Sequence, residues 1–137
     1  TRFPPSPRGI RKTACGRMQD KGIELSLFIA PDKAQIDKTV ELGVGIIEFH
    51  TGCYATAKTP AAAKKELRRL TLMSAYARGC GLVVNAGHGL KYDNTRAIAM
   101  IPGMHELNIG HSIIAHAIFV GLEKAVKDMQ KVIRGAA

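Results

Sequence analysis

The chain has 137 residues, 46% hydrophobic and 23% charged, which is enough for one domain with a sizeable core and too apolar for disorder over most of its length. Its formal charge of +9 invites a nucleic-acid reading, yet five of its basic residues (Arg2, Arg8, Arg11, Lys12 and Arg17) precede the first acidic one, Asp20, and the other fifteen face eleven acidic side chains. That mild excess suits anionic small substrates as well as RNA, and with 5% aromatics and no Trp the chain has little on which to stack bases.

Residues 1–17 (TRFPPSPRGIRKTACGR) form a basic leader, distinct from a domain over 18–137. Pro4, Pro5 and Pro7 forbid a regular helix in it. No apolar core follows the basic start, so it is not a secretory signal, and no apolar run approaches the roughly 20 residues that span a bilayer. Cys15, Cys53 and Cys80 lie far apart with no CxxC pair, which argues for reduced thiols rather than disulfides or a structural zinc. A cytoplasmic location follows as the expectation.

From residue 23 a rhythm appears. Leu25–Ala30 (LSLFIA) reads as a short buried strand, and Pro31-Asp32 opens a helix to about Leu42. Gly43–His50 (GVGIIEFH) reads as a second strand. Thr59 is the expected N-cap of a helix to about Arg78, with Pro60 at its first position and Gly79 and Gly81 stopping it. Leu82–Asn85 is a third strand, Asp93 to Met100 a helix, and His105–Ile109 a fourth strand. One long helix is expected from Ser112 to Ile133. Four βα units in succession predict an α/β fold with parallel strands and right-handed crossovers. They fit either an open doubly wound sheet or half of a (β/α)8 barrel, since a whole barrel needs about 200 residues or more.

In both architectures ligands gather at the C-terminal strand ends, and the polar residues of this sequence cluster there. The second strand ends in Glu48-Phe49-His50, whose alternation puts Glu48 and His50 on one face. They suit a shared substrate, or simply a buried Glu–His hydrogen bond. The third strand runs into Asn85-Ala86-Gly87-His88-Gly89-Leu90-Lys91-Tyr92-Asp93-Asn94. Glycines on both sides of His88 allow close backbone approach to a ligand, and an imidazole there could pass protons. A helix start at Asp93 or Asn94 favours an oxyanion nearby. The fourth strand leads to Gly110-His111 at another helix start, a second anion position. In each of these two loops the plainer alternative is an ordinary turn. His105 and His116 are expected to point elsewhere, and no HxH or HExxH spacing suggests a metal.

Taken together, IEFHTGCYA, VVNAGHGLKYDN and MHELNIGHSIIAHAIFVGLEKAV resemble the pyridoxine 5′-phosphate synthase family, in its order and spacing, from about residue 18 to the end. The resemblance implies four βα units forming the C-terminal half of a (β/α)8 TIM barrel, and an octameric assembly. It implies condensation of 1-deoxy-D-xylulose 5-phosphate with 3-amino-2-oxopropyl phosphate to pyridoxine 5′-phosphate, phosphate and water, without cofactor or metal. It also implies that Glu48 stabilises charge in the transition state and that His88 is the proton donor. Gly89, Gly110 and His111 would contact substrate and phosphate. The family's first four βα units have no counterpart here, and with them go a catalytic His and Glu, so the chain alone is expected to be incomplete. The alternative is a non-catalytic phosphate-binding remnant or a structural half-barrel subunit. A Schiff-base aldolase is disfavoured, because no strand end carries a lysine.

Overall fold

The computed structural model describes residues 8–135, with side chains from residue 14 onward. Helix α1 spans Arg8–Gln19. The expectation that prolines keep residues 1–17 out of helix therefore fails from Arg8 onward. Pro4, Pro5 and Pro7 all precede that residue and lie outside the described residues, and Arg8–Gln19 contains no proline.

Strand β1 (Ser26–Ile29) leads into α2 (Lys33–Glu41), which the Asp32 carboxylate caps by accepting from the Ala34 and Gln35 amides. Strand β2 (Ile46–His50) runs into a single turn, α3 (Gly52–Ala55), that the sequence pattern does not announce. Helix α4 (Pro60–Gly79) begins as expected: the Thr59 hydroxyl accepts from the Ala62 amide at 3.2 Å and Pro60 holds the first position. Then follow β3 (Val83–Gly87), the five-residue α5 (Thr95–Ala99) and β4 (Met104–Asn108). The expected long helix is two, α6 (His111–Val120) and α7 (Leu122–Arg134). Gly121 divides them with φ +83°, ψ 152°, a conformation reserved for glycine, and α7 folds back along α6.

The four strands are parallel, in the order β1-β2-β3-β4. Sequential parallel order with crossovers of one hand places the connecting helices on one face of the sheet. The core agrees: Ile47 and Phe49 of β2 and Val84 and Ala86 of β3 pack with Ile36 of α2, Leu70 and Ala77 of α4, and Ile98 of α5. A doubly wound sheet would reverse its order somewhere and cover both faces. Here the opposite face stays open, with Phe28 and Val83 exposed on it. Phe28, Glu48, Asn85 and Glu106 stand there in one cross-strand row, because a bulge between Val84 and Asn85 shifts β4 by one residue and leaves His105 outside the register. Among the described residues no helix is long and apolar enough to cross a membrane.

Candidate active site

The C-terminal ends of β2, β3 and β4 bring the five expected site residues to one cavity of about 780 Å³. Glu48, His88, Gly89, Gly110 and His111 all line it, together with Phe28, Lys91, Asn108 and Ser112. Glu48 enters from β2 on the open face. The Asn108 amide group of β4 donates to its Oε2 at 2.8 Å, which fixes the carboxylate across the width of β3. Gly87 lies between them on β3, and a Cβ there would collide with Glu48 Oε1 and come 3.0 Å from the Asn108 carbonyl. Close approach, rather than a turn, is what requires glycine at position 87.

His88 departs from the strand with φ +77°, the only non-glycine residue with positive φ among the described residues. Left-handed backbone is uncommon for an L side chain and collects at functional sites. Gly89 continues it at φ +81°, and a Cβ there would come 2.8 Å from that of Ala55. The carbonyls from Gly87 to Lys91 are all taken up by the protein. The Thr51 amide donates to Gly87 O at 2.9 Å and the Thr51 hydroxyl reaches His88 O at 2.7 Å. The Asn94 amide group reaches Gly89 O at 3.3 Å, and the Ser112 hydroxyl reaches Leu90 O at 2.8 Å. The Thr95 amide and hydroxyl donate to Lys91 O at 3.0 and 2.6 Å. With its carbonyls so engaged, the loop presents less negative charge to an anion in the cavity.

His50 stands behind His88. Their ring centroids are 4.5 Å apart, and Phe28 meets His50 edge-on at 5.3 Å. Glu48 and His50 do share a face of β2, yet the carboxylate bonds to Asn108 while His50 packs against His88. Burial lowers the pKa of His50, and the neighbouring His88 lowers it further, so His50 favours its neutral form.

On the far side of the cavity α6 starts at His111 with Gly110 at its cap, so amide groups at a helix N-terminus face the space beside His88. The other expected helix start, at α5, is different. The Asn94 side chain accepts from the Lys91 amide at 2.7 Å and so closes the 89–94 loop instead. His116, expected to point elsewhere, lines the same cavity and pairs with Asp128 of α7 at 3.3 Å. His105 is exposed. Among the described residues no group of three His, Cys, Asp or Glu side chains comes together as metal ligands would. Asn108 and Thr51 are site residues that the sequence motifs do not single out. Asn108 is two positions before Gly110 and on the face of Glu106, so strand alternation was the signal that would have found it.

A family model described as Pyridoxal phosphate biosynthesis protein PdxJ matches residues 8–135. The chain belongs to that family. The match starts within α1, ahead of the boundary expected at residue 18. Among curated proteins, the pyridoxine 5′-phosphate synthase of Aliivibrio fischeri (strain ATCC 700601 / ES114) is 52% identical over 125 residues, which cover 91% of this chain and 51% of that relative. The chain thus spans about half the length of the curated relative it matches. Family membership accounts for the sheet order: four parallel strands in sequence with helices on one face are what part of a (β/α)8 barrel consists of.

Proposed function

We propose that this chain supplies the C-terminal half of a pyridoxine 5′-phosphate synthase site in vitamin B6 biosynthesis. That site condenses 1-deoxy-D-xylulose 5-phosphate with 3-amino-2-oxopropyl phosphate. The observation that carries the reading is the meeting of Glu48, His88 and the α6 N-terminus around one cavity. Imine formation, dehydration, phosphate loss and ring closure each move protons, so the site needs a donor beside a held anion. His88 is that donor. Glu48, oriented by Asn108, faces the cationic charge that develops on nitrogen. Gly89, Gly110 and His111 hold phosphate with backbone amides and an imidazole, and Lys91 adds a positive charge at the rim. Anchoring the phosphate keeps the intermediates in place through successive steps. The reaction as read needs no cofactor.

We place the enzyme in the cytoplasm, in keeping with the free thiols Cys15, Cys53 and Cys80, and in a homo-oligomer, the octamer that the family resemblance implies. The exposed apolar side chains of α6 offer a surface for that assembly.

Titration of the 15N-labelled chain with inorganic phosphate, and separately with pyridoxine 5′-phosphate, tests the site. Amide shifts are expected at 87–91 and 110–112. Shifts confined to other loops would exclude this cavity as the anion site. In a chain carrying the full length of the relative, His88→Ala is expected to cut turnover by about 10²–10⁴-fold with smaller effect on KM.

A further inference from the structure

We infer that Thr51 is a positioning residue for His88: its hydroxyl holds the His88 backbone in the left-handed conformation that places the imidazole in the cavity. The inference rests on the reading of His88 as the proton donor.

Thr51 is fully buried. It occupies the N-cap position of α3, where a threonine side chain ordinarily accepts from an amide of the first turn. Thr51 makes no such bond. Its hydroxyl is turned instead toward β3, 2.8 Å from Gly87 O and 2.7 Å from His88 O. One proton cannot serve both carbonyls fully. The Thr51 amide already donates to Gly87 O at 2.9 Å, which leaves the hydroxyl proton for His88 O.

In an extended strand successive carbonyls point to opposite sides. Those of Gly87 and His88 both reach Thr51, which is possible because His88 has left the extended region at φ +77°. The hydrogen bond and the unusual backbone are thus one arrangement. Positive φ is costly for an L side chain even though histidine tolerates it better than most, so a partner outside the loop helps to hold it. The residue before Thr51 does the same for the side chain, since the His50 ring lies 4.5 Å from that of His88. The dipeptide His50-Thr51 therefore secures His88 at both ring and backbone, and it comes from the strand that also carries Glu48. This couples the donor and the carboxylate to a single element.

The test compares Thr51→Val, nearly the same shape without the O–H, with Thr51→Ser, which keeps it. In the labelled chain, the coupling between the His88 amide and α protons reports its φ, and ring-current shifts report the stack on His50. Both are expected to change in Thr51→Val and to survive in Thr51→Ser. Wild-type values in Thr51→Val would overturn the inference. If Thr51→Val does not fold, Thr51→Ser decides, because loss of the signals with the hydroxyl present would also overturn it. In the full-length enzyme, Thr51→Val should lower kcat about 100-fold with KM little changed, as small misplacements of a reacting group do, and Thr51→Ser should recover to within a few-fold. Unchanged kcat in Thr51→Val beside a large loss in His88→Ala would reject the positioning role. Unchanged kcat in both would reject His88 as donor, and the coupling measurement would then judge the clamp by itself.

Discussion

The rings of His50 and His88 lie 4.5 Å apart between centroids and are tilted by 32°. Two imidazoles this close stack well when at least one is neutral and repel when both are charged. Partial burial and the His88 charge together push the His50 pKa below its ordinary 6.5. In the unfolded chain that restraint is gone, so below pH 6.5 the unfolded state takes up the proton first. The contribution to stability is therefore present above 6.5 and is lost as pH falls through the depressed folded value. Urea midpoints taken from about pH 7 down to about pH 5 should fall, and His50→Asn should flatten that slope. Asp128, lowered by its hydrogen bond from Lys124, and Asp37, lowered by that from Lys33, act only beneath the ordinary 3.8. They leave this window to His50. An unchanged slope in His50→Asn would show that the imidazole pair has no energetic cost on protonation.

Gly89→Ala should destabilise the chain by about 1–2 kcal/mol, the usual cost of placing an L side chain in left-handed backbone. Position 89 has φ +81°, and the new methyl would come 2.8 Å from Ala55 Cβ, which has no torsion by which to move away. Denaturant unfolding measures the loss directly. A variant as stable as the wild type would mean that the loop has another backbone conformation of equal energy.

Much of this was legible in the sequence. Asp32 and Thr59 cap helices where expected, because capping is a local matter of one side chain and the next three amides. The short strand runs placed all four strands, and the Gly-His-Gly and Gly-His pairs pointed to residues that meet at one candidate cavity. What escaped is non-local or depends on a single torsion. Gly121 looked like one glycine inside a long helical pattern, and its φ of +83° decided otherwise. The basic run before residue 18 and its prolines look like one unit in sequence, although the prolines end at residue 7 and α1 starts at Arg8. Nothing in the sequence pattern marks Thr51. Its real partner is 37 residues away.

Deleting residues 1–17 should change stability by less than about 0.5 kcal/mol, or roughly 2 °C in thermal midpoint. The segment includes most of α1, yet the described side chains of α1, from residue 14 onward, add none to the buried core and are mainly exposed. Its link to the sheet domain through the Gln19 amide group and Gly43 O, at 2.8 Å, lies outside the deleted stretch. A large drop by calorimetry would show that the helix packs as an integral element.

The chain alone should self-associate at micromolar concentration. Helix α6 has no buried residue, although it is the most apolar helix in the sequence: Ile118 is 79% exposed and Phe119 86%, with Ile114 on the same surface. Folded monomers rarely leave such a contiguous apolar patch in water. Phe28 and Val83 add an open sheet face, and β1 and β4 are edge strands among the described residues, with backbone groups free to pair with another copy. Burying one large side chain of this kind is worth about 1.5–3 kcal/mol, so a few such contacts suffice to hold two chains together. Sedimentation should accordingly show species larger than a monomer. Ile118→Ser with Phe119→Ser should shift the distribution toward the monomer, and Phe28→Ser, on the open sheet face, should do so independently if that face also pairs. A monodisperse monomer in the unsubstituted chain would show that neither surface drives assembly under these conditions.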